Sequence, residues 1–395
     1  MTQDATRDAP PSAPASARPP LAGVRVLDLT RLLPGPVCTL HLADLGADVI
    51  KIEDTGAGDY AAPPLRALVH RNKRALQLDL KQPDGVQALK ALARTADVLV
   101  EGFRPGVMDR LGVGYATLAA LNPRLVYCSI TGYGQSGPLR NAPGHDLNYC
   151  ALAGVSDQIG VAGQPALSNL PIADLMGGAL TSAMGLLAAL FDAGRTGQGR
   201  HVDIAMADAA LAHNLVAMVT LNGKGATQPA GGDKLSGALP CYGLYQTRDG
   251  RHLAVGALER KFWDGFCETI ARPDLKARHL PASPAEAAAV RADVAELIAS
   301  QPLAHWQEVF ADNDCCVTPV LRLGEALHEP QFRARRMVLD TADGAHLASP
   351  VQMSGHAFEV RRPAPRPGQH SDEVLGEVGY SADTLARLRA DGVIG

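Results

Sequence analysis

His145 sits in a short polar cassette, Gly144-His145-Asp146-Leu147-Asn148-Tyr149. A lone carboxylate, Asp174, follows in Pro171-Ile172-Ala173-Asp174-Leu175-Met176-Gly177-Gly178. Further on, Glu259 comes after the strand-like run Leu253-Ala254-Val255-Gly256-Ala257-Leu258. One histidine and two carboxylates, each beside apolar or glycine-rich sequence, supply two opposed proton-transfer groups and an orienting partner. That set suits the removal and return of a proton at carbon. Taken singly, each residue also has a plainer role. Asp174 can cap an apolar helix, His145 can be structural, and Glu259 with Arg260 and Lys261 can be a solvated helix start.

Such residues need a scaffold, and the composition bounds it. With 395 residues, 46% hydrophobic and 20% charged, the chain has ordinary globular composition and a length that favours two domains. A net charge of -4 gives no reason to expect a nucleic-acid partner. No segment reaches the roughly 20 apolar residues of a membrane helix. Ala179 to Ala193 is apolar but short, and Thr181 and Ser182 interrupt it. Residues 1–20 are rich in Ala, Pro and Ser and lack a basic start followed by an apolar core. A disordered tail is expected there, not a secretory signal. The 7 cysteines are scattered and form no Cys-x-x-Cys pair, which disfavours a disulfide framework or a zinc cage and fits a cytoplasmic location.

The elements alternate. Val24 to Leu29 is an apolar run of strand type, Pro34-Gly35-Pro36 breaks it, Val37 to Leu45 has helical spacing, and Asp48 to Ile52 is again strand-like. A helix over Pro83 to Arg94 and strands over Asp97 to Val100 and Arg124 to Ile130 continue the pattern. This predicts an α/β fold with a Rossmann-like parallel sheet. The first strand is followed by Thr30 to Pro36 instead of a Gly-x-Gly-x-x-Gly turn, so NAD binding is disfavoured. Met176 to Asp192 is almost wholly apolar and predicts a buried helix, and His201 to Ala207 opens another apolar segment running to about Leu221. Arg248-Asp249-Gly250 between Tyr242–Gln246 and His252–Ala257 signals a hairpin. The expected organisation is a tail over 1–20, a large Rossmann-like domain over 21–224, a smaller α+β domain over 225–330, and a C-terminal segment over 331–395 returning to the large domain.

Several longer motifs then stand in order. They are Leu21-Ala22-Gly23-Val24-Arg25-Val26-Leu27-Asp28-Leu29, Leu42-Ala43-Asp44-Leu45-Gly46-Ala47-Asp48-Val49-Ile50-Lys51-Ile52-Glu53, Glu101-Gly102-Phe103-Arg104-Pro105-Gly106 and Thr131-Gly132-Tyr133-Gly134-Gln135-Ser136-Gly137-Pro138. Together they resemble the family III CoA-transferases (CaiB/BaiF-like) and their racemase relatives over about 21–360. The His145 cassette, Gly256-Ala257-Leu258-Glu259 and Cys316-Val317-Thr318-Pro319-Val320 look most like the α-methylacyl-CoA racemase branch. Transferases of the formyl-CoA type carry a run of consecutive glycines where this chain has Gly231-Gly232-Asp233-Lys234-Leu235-Ser236-Gly237-Ala238-Leu239.

The resemblance implies acyl-CoA bound between the domains of an interlocked homodimer, with coenzyme A as part of the substrate and no separate cofactor or metal. It implies that His145 serves one face of the α-carbon and Asp174 the other, that Glu259 orients His145, and that Asp146 holds the backbone or offers its N–H to the enolate oxygen. Arg104 resembles the family's CoA-contacting arginine, and the basic cluster Arg71, Lys73 and Arg74 is a second candidate for the phosphates. The implied reaction is inversion of a 2-methylacyl-CoA. The alternative is CoA transfer to a free acid through an acyl anhydride and thioester on Asp174. To act as an acid, Asp174 needs a raised pKa. Its apolar flanks favour that, while a helix N-terminus opposes it.

Overall fold

A six-stranded parallel sheet carries the larger part of the chain. The computed structural model describes residues 18–56, 62–342 and 344–395. The expected tail over 1–20 lies almost wholly outside them. The strands are β1 (Arg25–Leu29), β2 (Asp48–Glu53), β3 (Lys73–Gln77), β4 (Val98–Glu101), β5 (Val126–Thr131) and β6 (His201–Ala205). Their order is β3-β2-β1-β4-β5-β6, with every neighbouring pair parallel. This is the doubly wound order that reverses direction between β1 and β4, and ligands bind such sheets outside the carboxyl ends of the strands at that reversal.

The β1 turn is built on a buried charge. Asp28, fully buried in β1, accepts from the Thr30 N–H (2.9 Å), the Thr30 hydroxyl (2.5 Å) and the Thr39 hydroxyl (2.5 Å). Lys73 Nζ lies 3.2 Å from its Oδ2 and Lys51 Nζ 3.6 Å from its Oδ1. Burial would raise the Asp28 pKa, but the two ammonium groups and two hydroxyls outweigh it and hold the carboxyl well below the usual range. Lys73 also donates to the Pro36 carbonyl (2.9 Å), and Lys51 to that of Thr30. The cluster therefore clamps the Thr30–Pro36 turn and the start of the helix Pro34–Asp44. Gly35 is required there, because a Cβ would sit 2.2 Å from Thr30 Cβ.

The open edge of the sheet at β3 is covered from the far end of the chain. The His370 N–H donates to the Ala75 carbonyl (2.9 Å), and Leu78 bridges Ile394. Val374, Leu375, Leu385 and Leu388, from the helices Ser371–Gly376 and Ala382–Ala390, join the core with Leu27, Ile50 and Leu99.

The chain divides into two compact units. The larger holds residues up to Tyr149, Ile172–Ala210 and Arg335–Gly395; the smaller holds Cys150–Pro171 and Leu211–Ala334. The expected boundary at 224 is thus corrected, since residues 150–171 and 211–224 belong to the smaller unit. The smaller unit contains an antiparallel sheet of β7 (Tyr242–Gln246), β8 (His252–Gly256) and β9 (Val317–Pro319), with Trp263, Phe266, Val294, Trp306 and Phe310 in its core.

Two local expectations are also corrected. The apolar segment expected from His201 to about Leu221 is not one element: His201 to Ala205 is the edge strand β6, and helices follow over Met206–Ala212 and Leu215–Lys224. The long apolar helix is not wholly buried. It begins as a π-helical turn over Ala173–Leu180 and runs on as an α-helix over Thr181–Thr196, long and apolar enough by composition to cross a membrane. One face packs inward through Gly177, Gly178, Ala183, Leu186 and Ala189, with a Gly178 Cβ position only 2.5 Å from Pro34 Cβ. The other face exposes Leu180, Met184, Leu187 and Phe191, a single stripe at helical spacing.

Replacing Asp28 with Ala strands two buried ammonium groups. A loss of about 3–5 kcal/mol is expected, measured as a lowered urea midpoint at unchanged slope. A loss inside about 0.5 kcal/mol, the range of an ordinary surface substitution, would show that the clamp is not structural.

Candidate active site

A cleft of about 790 Å³ opens at the reversal point of the sheet. Its walls are the segments that leave β1 (Thr30 to Leu32), β4 (Gly102 to Pro105) and β5 (Gly132 and Tyr133), closed by the His145 cassette and Asp174. Three residues singled out from the sequence, His145, Asp174 and Arg104, line the same cleft.

The cassette is shaped by Tyr149. Its ring packs edge-on to Tyr133 at 5.2 Å, and its hydroxyl donates to the Gly144 carbonyl at 2.5 Å. A Cβ on Gly132 or Gly144 would fall 2.4 or 2.7 Å from that ring, so both positions must be glycine for Tyr149 to fit. His145 then opens the short helix Asp146–Leu152. The His145 N–H donates to Asn148 Oδ1 (3.0 Å), and its carbonyl accepts from the Asn148 N–H (2.8 Å). The imidazole is left exposed at the cleft.

Asp146 ties the two segments together. Its Oδ1 accepts the Asp174 N–H at 2.9 Å, so the cassette and the first turn of the long helix are fixed to each other through one bond. Of the two roles considered for Asp146, holding the backbone is the one its side chain performs. Asp174 is half-buried, and its carboxyl is pushed up to about 6, first by burial and then by the neighbouring Asp146, with His145 pulling the other way. Desolvation and like charge thus outweigh the pull of His145. A carboxyl at that value is exchangeable between acid and base near neutrality.

The other candidates fall elsewhere. Glu259 belongs to the smaller unit, exposed at the N-terminus of the helix Arg260–Thr269. Arg71, Lys73 and Arg74 are withdrawn as phosphate ligands, because β3 starts at Lys73 and takes the cluster into the fold. Arg71 pairs with Asp44 (2.6 Å), Lys73 with Asp28, and Arg74 with Asp48 (2.6 Å), Glu373 (2.8 Å) and Glu377 (2.6 Å). Their charges are spent within the protein. Two further arginines, Arg31 and Arg140, line the cleft and were not singled out from the sequence. Arg31 follows β1 directly, so the rule that ligands gather at strand carboxyl ends points to it. Arg140 lies in a loop with no local signal. Leu32, also in the cleft wall, holds the left-handed conformation (φ 64°), a strain that such walls store.

In protein labelled at the aspartate carboxyls, NMR titration should show one group with a midpoint near 6 that vanishes in Asp174→Asn. Asp146→Asn keeps the acceptor for the Asp174 N–H but removes the like charge, so the same midpoint should move down. A midpoint that stays in place would show that burial alone sets it.

The model of CoA-transferase family III matches residues 21–371. The α-methylacyl-CoA racemase of Mus musculus is 36% identical over 383 residues, covering 95% of this chain and 97% of its own. The acetyl-CoA:oxalate CoA-transferase of Acetobacter aceti is 33% identical, covering 89% and 93%. A CAIB/BAIF family protein from Brucella suis has a crystal structure that superposes with a TM-score of 0.80 at 26% identity, covering 91% of this chain and 99% of that one. The chain belongs to the family III CoA-transferases.

Proposed function

We propose that this protein inverts the α-carbon of a 2-methylacyl-CoA thioester by 1,1-proton transfer. The observation that carries this is the pair His145 and Asp174 in one cleft, with Asp174 held near 6. The thioester carbonyl acidifies the neighbouring C–H bond. One group removes that proton, the planar enolate forms, and the opposite group returns a proton to the other face. Each group therefore alternates between acid and base, which requires both to titrate near the working pH. Arg104, Arg31 and Arg140 meet the CoA phosphates, since guanidinium groups match phosphate geometry. The chemistry calls for no redox cofactor or metal, and CoA enters as part of the substrate. The similarity to a racemase at 36% identity supports this choice.

A second reading has its own support. A carboxyl near 6 is mostly ionised at pH 7, and an ionised Asp174 in the cleft is equally suited to attack a thioester. The relative that is an acetyl-CoA:oxalate CoA-transferase keeps this reaction in view.

The exposed stripe of Leu180, Met184, Leu187 and Phe191 supports the interlocked homodimer, because an apolar face of this kind calls for a covering surface. The 7 cysteines, scattered along the chain and all but Cys316 buried, fit a cytoplasmic location.

Incubation with (2R)- and (2S)-2-methylacyl-CoA in deuterated water should place deuterium at the α-carbon and bring both epimers to one mixture. His145→Ala should slow this by about 100-fold or more. No exchange, together with a hydroxamate left on Asp174 when hydroxylamine displaces coenzyme A or the acyl group from it in the presence of a free acid, would transfer the assignment to CoA transfer. For the dimer, sedimentation should give twice the chain mass for the native protein and a shift toward monomer for Met184→Glu with Phe191→Glu. A native monomer would refute that part.

A further inference from the structure

Glu101 is a buried carboxylate that the proposed proton transfer does not use. It ends β4 at the reversal point of the sheet, with 4% of its surface exposed. Its Oε2 accepts the N–H of Phe103 at 2.7 Å. On the neighbouring strand β5, Ser129 is the register partner of Glu101, which puts its hydroxyl beside the same carboxyl. Ser129 Oγ in turn lies 3.0 Å from His201 Nε2 on β6. Tyr115 stacks on the His201 ring at 5.1 Å and Tyr127 meets it edge-on at 5.3 Å, which keeps the ring in place.

Beyond Glu101 the chain forms one wall of the cleft. Arg104 to Val107 is a type II turn, with Pro105 at its second position, Gly106 at φ 78° in its third, and the Val107 N–H donating to the Arg104 carbonyl (3.1 Å). The Arg31 guanidinium lies 5.2 Å above the Phe103 ring. Arg104 is exposed and makes no ion pair among the described residues. It lines both the cleft and a cavity of about 250 Å³ in which Glu101, Ser129 and His201 meet.

We propose that Glu101 is a positioning residue, which holds the Phe103–Arg104 wall and thereby sets the Arg104 guanidinium where it meets the phosphates of coenzyme A. This rests on the CoA-thioester reading above. The physical reason is the Phe103 N–H. It is a strong donor just past a strand end, and it needs an acceptor to keep its direction. Burial pushes Glu101 up to about 7, against the Ser129 hydroxyl and the Phe103 amide. Either protonation state retains an acceptor oxygen, so the hold survives neutralisation, and glutamine can replace it.

The test is calorimetric titration of coenzyme A into the native protein and into Glu101→Ala, Glu101→Gln, Arg104→Ala and the Glu101→Ala/Arg104→Ala double variant. Glu101→Ala should weaken binding about tenfold and raise KM with little change in kcat, because the reacting groups are untouched. Glu101→Gln should stay within about threefold of the native protein, and the double variant should bind no more weakly than Arg104→Ala. Native affinity in Glu101→Ala, or losses that add in the double variant, would overturn the inference. Should Glu101→Ala fail to fold by circular dichroism, Glu101→Leu fills the same space without an acceptor for the Phe103 N–H and carries the same cycle with Arg104→Ala. There, coupled losses support the inference and additive ones refute it. A native protein that binds no coenzyme A refutes the reading beneath, whereas native binding with additive losses refutes the inference alone.

Discussion

The structure depends first on satisfying one buried anion. Asp28 has no water to solvate it, so its charge must be met by Lys51 and Lys73 and its lone pairs by Thr30 and Thr39. Those partners come from β1, β2, β3 and the first helix, so the cluster can form only when all four are in register. Once formed, it leaves the Thr30–Pro36 turn little freedom, and that turn is the floor on which the cleft opens. Burial also takes the Lys73 ammonium down to about 8, with Asp28 resisting, which shows how closely the charges are balanced. A group of this kind adds less to net stability than to uniqueness, since a half-satisfied version is worse than none.

The same logic separates what was legible in the sequence from what was not. Runs such as Val98 to Val100, and Val26 to Leu29 but for Asp28, are apolar because they are buried on both faces, and that signal is local. Lys73 and Arg74 misled because charge normally marks a surface. Their partners Asp28 and Asp48 lie on other strands, and Glu373 and Glu377 near the far end of the chain. β6 was hidden because an edge strand that is exposed on alternate residues, His201, Asp203, looks polar beside the apolar helix that follows. The long helix was legible as a helix, but apolarity alone does not distinguish a buried face from one awaiting a partner.

At the site, the residue types were legible and their coupling was not. His145 and Asp174 stand out by context, yet the bond from the Asp174 N–H to Asp146 that joins their segments is visible only in three dimensions. So is the fit of Tyr149 against Gly132 and Gly144, which turns two flexible positions into fixed ones. Asp174 enters both of the reactions proposed above, so the choice between them lies in what surrounds it.

The late cover of β3 has a consequence for synthesis. The groups that seal that edge, His370 and Ile394, are made some three hundred residues after the strand they protect. Until they emerge from the ribosome, β3 presents an unpaired ladder and the core lacks Val374, Leu375, Leu385 and Leu388. An uncovered strand edge is a template for pairing with another chain. The nascent protein is therefore exposed to aggregation while the intervening residues are made, and the sheet domain cannot be completed before the helix Ala382–Ala390 is released.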